Sequence, residues 1–323
     1  MKRSPTTVTS YSYRAQKIIH KILKEKKIRS LEKLDLRSLP LWLANKRKEL
    51  LPRSFRQYKA ALTYYLEKVG NEEAFQAIEM LYEMRSTGCK KDKSLTSANK
   101  MKRFRNEDIK RYDAWLAANN HMRWSSLARS WLAAGLITGL RPIEWVDAEI
   151  LDVDGEKALR VINAKQSHGR AHGYDRILLL GSLSIPEFAA IERHIELVRR
   201  SAEIAGGYAS LFKKLSDFVH LSTRKCWTRR AQYPTLYSLR HQFAANLKRA
   251  GVSRAEIAAL MGHGSDETAG FHYGKKLAGE QIDSRIIALP ANVERVRVKA
   301  KQHPGKTQVK KKAKPKHKPE SEK

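Results

Sequence analysis

Two arginines, a histidine and a tyrosine in the second half of this chain are of the types that act on phosphate esters. In sequence order they are Arg141, Arg240, His263 and Tyr273. A guanidinium can grip two phosphate oxygens at once, and a tyrosine can attack as a covalent nucleophile. The phenol needs cationic neighbours or a base, because its ordinary pKa is about 10. The residue types and their order suit the attack of a tyrosine on a phosphodiester that arginines hold.

Arg141 lies where one predicted helix ends and another begins. Gly139 is a typical helix-terminating residue, and Pro142 suits the first turn of a helix. A phosphate at this point would meet both the guanidinium and free backbone N–H groups, and Glu144 could hold the guanidinium in place. Taken alone, Arg141 fits a surface arginine better than a phosphate ligand.

A predicted helix over 236–250 carries Tyr237 and Arg240 on one face, since residues three apart on a helix are neighbours. Arg240 flanks the apolar stripe of this helix and therefore needs an anionic partner. That partner is either a substrate phosphate or a carboxylate of the same domain. Tyr237 either donates a hydrogen bond into the site or packs beside the helix.

His263 stands between Gly262 and Gly264, which predicts a tight turn. A short helix should begin just after this turn, and Tyr273 lies near its expected end. A single tyrosine in such a place is usually a half-buried packing residue, so only the joint pattern of the four residues carries weight.

The composition indicates a polyanionic partner. Lys and Arg number 64 against 33 Asp and Glu, which gives a net charge of +31. Nucleic acid is the first candidate, because neutralisation of phosphates by Lys and Arg drives sequence-independent binding. A ribosomal-type protein and a membrane-surface binder are the alternatives, although both usually lack a large helical core.

Several classes of protein do not fit the sequence. No apolar run is long enough to span a bilayer, and no apolar segment typical of a signal peptide follows the start. The two cysteines, Cys89 and Cys226, form neither a zinc-site spacing nor a disulfide framework. No tight metal-ligand cluster or phosphate-binding glycine motif is evident, so we expect neither a metal nor a cofactor. These features predict a cytoplasmic protein without a membrane partner.

Charge and hydrophobic periodicity divide the chain into successive segments. They are a basic lead (1–30) with one helix over 13–27, a helical domain (31–87), a charged linker (88–105), a second domain (106–290) and a basic, disordered tail (291–323). The tail has too few apolar residues to fold alone. It is either a solvated extension or a nonspecific DNA clamp.

The predicted fold is mostly α-helical with a small antiparallel β-sheet, an α+β arrangement. Asp154-Gly155 predicts a turn between strands at 149–152 and 158–162, and a third strand is expected at 176–180. The helices expected around this sheet cover 186–204, 209–219, 236–250, 253–261 and 278–289. Ser253 and Glu256 predict a capping box at the start of one of them.

The combination of Thr-Gly-Leu-Arg141, Leu-Arg240-His, Leu-Met-Gly-His263 and Tyr273 resembles the tyrosine recombinase (phage integrase) family. The resemblance covers about residues 106–290 and, more loosely, the helical region before them. It implies that Arg141 and Arg240 grip the non-bridging oxygens of the scissile phosphate. It also implies that His263 matches the later histidine of the family and that Tyr273 is the nucleophile.

Two further residues follow from the resemblance. Lys165 matches a lysine on a hairpin after the first arginine, which implies a general acid for the leaving 5′ oxygen. Tyr237 occupies a position where the family usually has histidine, three residues before the second arginine. A phenol can donate a hydrogen bond there but cannot carry a positive charge. The interval from His263 to Tyr273 is also one residue longer than the commonest family form.

The resemblance implies a site-specific DNA recombinase or integrase of a mobile element, acting through a covalent 3′-phosphotyrosyl intermediate. Its partner would be double-stranded DNA, on which the family works as a homo-tetramer with two protomers at each site. The helical domain 31–87 would bind core DNA, the helix 278–289 would dock on a neighbouring protomer, and accessory DNA-bending proteins are candidate partners. The protein would be associated with the nucleoid. A type IB topoisomerase-like enzyme, a telomere resolvase and a catalytically dead DNA-binding protein are the alternatives.

Overall fold

The computed structural model describes residues 3, 5–90, 101–166, 170–268, 273 and 275–299. The chain divides into two units, Met1–Thr96 and Ser97–Lys323. None of the helices in these described ranges combines the length and apolarity that a bilayer crossing requires. The predicted fold class, mostly α with a small antiparallel sheet, is confirmed.

The described residues of the first unit form a bundle of four α-helices, α1 (Pro5–Glu25), α2 (Ser38–Asn45), α3 (Pro52–Val69) and α4 (Glu72–Glu83). The basic lead predicted at 1–30 is not a separate segment, because α1 buries Ile18 and Ile22 in the core of this unit. Its apolar residues recur at helical spacing, and that stripe is covered by α3. The side chain of Asn71 caps α4 by accepting a hydrogen bond from the backbone N–H of Ala74 at 2.8 Å.

The second unit surrounds a four-stranded antiparallel sheet with helices. The helices whose bounds lie within the described residues are α5 (Asn106–Ala118), α6 (Ser125–Thr138), α7 (Ile185–Ala205), α8 (Tyr208–Cys226), α9 (Ser238–Arg249), α10 (Arg254–Leu260) and α11 (Pro290–Glu294). The strands are β1 (Glu149–Val153), β2 (Glu156–Ile162), β3 (Asp175–Leu179) and β4 (Ile287–Ala288), paired in sequence order. Asp154 and Gly155 both have positive φ and form the tight turn between β1 and β2.

The predicted helix at 278–289 is wrong. A single 3₁₀ turn, Lys276–Ala278, is followed by strand β4, in which Ala288 pairs with Leu178 of β3. Ile286 and Ala288 are buried. Their burial depends on the exposed edge of β3, which is more than a hundred positions away in sequence, so local periodicity could not reveal it.

Two predicted boundaries are wrong, the start of the tail and the end of the linker. Helix α11 and the residues up to Lys299 are folded, and Asn292 and Val296 are buried. The remainder of the tail, 300–323, lies outside the described residues. At the other boundary, Phe104 is fully buried in the second unit and its backbone N–H donates to Gln242 Oε1 at 2.9 Å. Residues 91–100 of the predicted linker lie outside the described residues.

The end of α6 generates a stability prediction, because its terminal glycine has no room for a side chain. Gly139 and Gly155 both have positive φ, so alanine at either position carries left-handed strain of about 1–2 kcal/mol. A Cβ at 139 would lie 2.1 Å from the ring of Phe243, whereas nothing lies within 4 Å of a Cβ at 155. The repacking needed to remove that clash should destabilise Gly139→Ala by about 1–3 kcal/mol more, the usual cost of overpacking, and Gly155→Ala should not bear this cost. Thermal unfolding of the full-length variants measures the difference, and equal falls in Tm would contradict it.

Candidate active site

Arg141 makes two hydrogen bonds to the carboxylate of Glu144 at the start of a short 3₁₀ helix, Pro142–Trp145. The backbone N–H of Arg141 donates to Glu144 Oε2 at 2.8 Å, and Arg141 Nη1 donates to Oε1 at 2.5 Å. Pro142 occupies the first position of the helix, where a missing N–H does no harm. Both charged side chains are buried. The carboxylate therefore orients the guanidinium, as the sequence suggested.

Glu144 also binds two other arginines. Arg176 Nη2 donates to its Oε2 at 2.9 Å, and Arg240 Nη1 lies 3.6 Å from the same oxygen. Burial alone would raise the pKa of the Glu144 carboxyl, but the guanidiniums of Arg176, Arg240 and Arg141 together lower that pKa well below its usual range. One ionised carboxylate thus lies among three buried cations.

The Arg240 side chain projects from the first turn of α9 and is held by two backbone carbonyls. Its Nη1 donates to Gly139 O at 2.7 Å, and its Nη2 donates to Met261 O. Nη2 also lies 3.2 Å from His263 Nε2, and Nε donates to Tyr273 Oη at 3.3 Å. Burial, reinforced by the nearby charge of Arg141, lowers the pKa of Arg240 to about 10, so the guanidinium stays charged at neutral pH.

His263 lies in the turn after α10 and is 2% exposed. Burial and the charges of Arg240, Arg141 and Arg176 lower the pKa of the His263 imidazole far below its usual value, so the ring is neutral at pH 7. Because a guanidinium can only donate, Nε2 accepts from Arg240 and the ring proton belongs on Nδ1. Nδ1 is buried and bonds to no atom of the described residues.

Tyr273 brings its phenol oxygen to Arg240. Its ring centroid lies 5.0 Å from that of His241 and 5.1 Å from that of His263, and the guanidinium carbon of Arg240 lies 5.4 Å from the ring centre. Burial would raise the pKa of the Tyr273 phenol, but Arg240 and Arg141 outweigh it and the pKa is lowered. A tyrosine in this environment loses its proton more readily than one in water.

The two remaining predicted site residues lie at the margin of this cluster. Lys165 is exposed in the loop after β2, and its charge is among those that lower the pKa of Tyr273. Tyr237 immediately precedes α9 and is 37% exposed. Burial raises the pKa of the Tyr237 phenol, whereas the nearby charges of Arg141 and Arg240 act in the opposite direction.

Two members of the cluster, Arg176 and Asn163, were not predicted from the sequence. Arg176 lies on β3 opposite Val161 of β2 and is completely buried, and its Nη1 donates to Asn163 Oδ1 at 2.5 Å. An arginine at the start of an otherwise apolar strand was a signal, because a buried guanidinium requires an anionic partner. Asn163 gave no such signal, since asparagine is common where a strand passes into a loop.

Comparison with known proteins finds solved structures of similar fold. No family model and no curated protein matches the sequence. A solved lambda integrase dimer bound to a COC′ core site aligns with a TM-score of 0.51 and 18% sequence identity, over 85% of this chain and 73% of that chain. The chain has the fold of a tyrosine recombinase. The solved XerA recombinase aligns with a TM-score of 0.39 and 19% identity, over 81% of this chain and 93% of that chain.

The carboxylate at the centre of this recombinase fold should be indispensable for stability. Glu144→Gln leaves three buried guanidiniums without their counter-charge, which should lower the free energy of unfolding by about 3–5 kcal/mol. The control is Glu149→Gln, which removes a solvent-exposed ion pair with Arg160 and should change stability little. Urea unfolding of both variants at pH 7 measures the difference. A Glu144→Gln variant as stable as the control would contradict the account of this cluster.

The stability difference between wild type and Glu144→Gln should depend on pH. The folded-state pKa of Glu144 is lowered, so its contribution is fully present above the unfolded-state pKa of about 4.3 and is lost as the pH falls below it. The stability difference between wild type and Glu144→Gln should therefore shrink between pH 5 and pH 3. A difference that grew over this interval would mean that Glu144 is protonated in the folded state.

Proposed function

We propose that this chain is a site-specific DNA recombinase of the integrase type, which cleaves and rejoins DNA through a covalent 3′-phosphotyrosyl intermediate. The observation that carries the proposal is the contact between Arg240 and the phenol oxygen of Tyr273. It joins a nucleophile of lowered pKa to a guanidinium that Glu144 and two backbone carbonyls hold in place.

In this proposal the arginines stabilise negative charge on the phosphate. Phosphoryl transfer places charge on the equatorial oxygens, and cations held in advance in a water-poor site stabilise that charge most effectively. Arg141 and Arg240 would bind the non-bridging oxygens, and the Nδ1–H of His263 would supply a further donor. Tyr237, close to both arginines, would donate a hydrogen bond in place of the usual histidine.

The chemistry needs no external energy source. Tyr273 first releases its phenol proton to water, which its lowered pKa favours. The phenolate oxygen then bonds to phosphorus, the bond from phosphorus to the 5′ oxygen breaks, and Lys165 gives a proton to that leaving oxygen. The phosphotyrosyl ester keeps the free energy of the broken DNA bond, so attack by a 5′ hydroxyl can reseal a strand without ATP.

Duplex DNA is the proposed partner. The net charge of +31 fits a polyanion, and the lambda integrase structure of the same fold is a dimer bound to a DNA core site. Because strand exchange joins two duplexes, we propose a homo-tetramer with two protomers on each site. Function in a mobile element, association with the nucleoid and the help of DNA-bending proteins complete the proposal and rest on the sequence resemblance.

A nicking-closing enzyme of the topoisomerase IB type is the second candidate, because it would use the same tyrosine chemistry without strand exchange. Recombination between two labelled duplexes distinguishes the two. A DNA-binding protein without catalysis is favoured mainly by the phenol of Tyr237 at a position that usually holds histidine. Detection of covalent protein–DNA adducts would exclude a non-catalytic DNA-binding protein.

The direct test of the nucleophile removes a single oxygen. Tyr273→Phe should bind duplex DNA as the wild type does but form no covalent complex with a nicked suicide substrate, because the attacking atom is gone. Tyr233→Phe is the matched control, since it removes a phenol that donates to Trp227 O within the same unit. Adduct at the wild-type level from Tyr273→Phe, seen on a denaturing gel, would overturn the assignment.

A further inference from the structure

Asn163 ties together the two ends of the loop that carries Lys165. It is 1% exposed, follows the last residue of β2 and stands two positions before Lys165. Its backbone N–H donates to Tyr174 O at 2.9 Å, and its Nδ2 donates to Gly173 O at 3.0 Å. One buried side chain therefore determines where the loop leaves the sheet and where it returns.

Arg176 holds Asn163 from the adjacent strand. Its Nη1 donates to Asn163 Oδ1 at 2.5 Å, its Nη2 to Glu144 Oε2 at 2.9 Å and its Nε to Leu260 O at 2.9 Å. All three nitrogens are engaged within the protein and the residue has no exposed surface. Arg240 donates to the phenol oxygen of Tyr273, whereas the three bonds of Arg176 lead to Asn163, Glu144 and Leu260. We therefore expect Arg176 to act through these residues and not by direct contact with a substrate phosphate.

The turn that carries His263 lies directly on this pair. A Cβ at Gly262 would stand 2.3 Å from Asn163 Oδ1 and 2.7 Å from Arg176 Nη1, so only glycine fits there. The next glycine, Gly264, donates its N–H to Arg170 O at 2.9 Å, on the returning limb of the Lys165 loop. The loop, the His263 turn and the Glu144 cluster consequently meet at one point.

We propose that Asn163 and Arg176 are positioning residues that hold Lys165 at the leaving 5′ oxygen of the DNA. The inference rests on the cleavage reaction proposed above. The side-chain hydrogen bonds that Asn163 and Arg176 make to the described residues do not include Tyr273. The backbone N–H of Ala164, between Asn163 and Lys165, lies 3.4 Å from Glu144 Oε1, which extends the same chain of contacts up to the lysine. Loss of this support displaces the proton donor and leaves Arg141 bonded to Glu144.

This role predicts a specific chemical rescue. A 5′ oxygen leaves well only if it receives a proton, whereas a 5′ sulfur leaves as a thiolate without one. A variant whose defect lies in delivery of the proton should therefore recover on a substrate with a bridging 5′ phosphorothiolate. A variant whose defect lies in binding of the phosphate should remain slow on both substrates.

The experiment measures single-turnover cleavage by full-length protein on matched suicide substrates with oxygen or sulfur at the scissile 5′ position. A well-placed general acid contributes about 10²–10⁴ to the rate, so Lys165→Ala should raise the sulfur-to-oxygen rate ratio by that order. Asn163→Ala and Arg176→Lys should each raise the ratio by at least about tenfold, as partial loss of the same contribution. DNA affinity of these variants should stay within about twofold of wild type, because the contacts with the DNA backbone are unchanged.

The matched control is Asn246→Ala, which removes another buried asparagine of the same unit. Asn246 Oδ1 accepts from the backbone N–H of Glu280 and from Gln242 Nε2, each at 2.8 Å, and neither partner belongs to the Lys165 loop. This variant should be destabilised in a thermal melt without any change in the sulfur-to-oxygen ratio. If the ratio rose equally in Asn246→Ala, the position of Lys165 would depend on the general stability of the fold and not on Asn163 and Arg176.

The outcomes separate the two proposals. If wild type forms no adduct with either substrate, the proposed function is wrong. If wild type and Lys165→Ala behave as expected but Asn163→Ala and Arg176→Lys are equally slow on both substrates, the positioning role is wrong. Where Asn163→Ala is too unstable to purify, Asn163→Asp keeps the acceptor for Arg176 and removes the bond to Gly173 O. A wild-type ratio in that variant overturns the proposal.

Discussion

The candidate site depends on one arrangement, a buried carboxylate surrounded by three guanidiniums. Glu144 orients Arg141, binds Arg176 and lies 3.6 Å from Arg240, so the cluster keeps a surplus of positive charge in a place with little water. Such a surplus is unfavourable until an anion enters, because the electrostatic interaction of buried charges is weakly screened. A phosphate diester would supply that anion. The protein bears this electrostatic strain in advance and so needs little reorganisation when the phosphate binds.

The elements around this cluster explain why the fold keeps it in place. Gly139 ends α6 in a left-handed conformation and turns its carbonyl towards Arg240, and the end of α10 supplies the carbonyls of Leu260 and Met261. Backbone carbonyls are acceptors that side-chain motion cannot withdraw. Carbonyls at the ends of α6 and α10 therefore hold Arg240 and Arg176. The positions of these carbonyls follow from the packing of the second unit.

Local features were predictable from the sequence. Asn71 caps α4 and Asp154-Gly155 forms a turn, because each depends on residues within a few positions. The link between Arg141 and Glu144 was also accessible, since it closes within one turn. These are cases in which a residue and its partner lie close together in the chain.

Features that depend on distant partners were not predictable. The segment that contains β4 was predicted to be a helix from its local sequence pattern. Pairing with β3 overrides that local preference in the folded protein. The place of Arg176 and Asn163 in the site was missed for the same reason, because Glu144 and Leu260 reach Arg176 only in the folded protein. The segment up to Lys299 has a composition typical of disorder, yet the N–H of Arg297 donates to Gly264 O beside the site.

In the proposed reaction a single tyrosine, Tyr273, forms the covalent bond to DNA. Tryptic digestion of a trapped adduct, followed by mass spectrometry, identifies the residue that carries the 3′ phosphate. Cleavage after Arg254 and Lys275 gives a peptide in which Tyr273 is the only tyrosine, whereas Tyr237 falls in a different peptide that ends at Arg240. We expect the nucleotide on the 255–275 peptide, bonded through Tyr273. A nucleotide on the peptide that contains Tyr237, or on any residue other than tyrosine, would contradict the account.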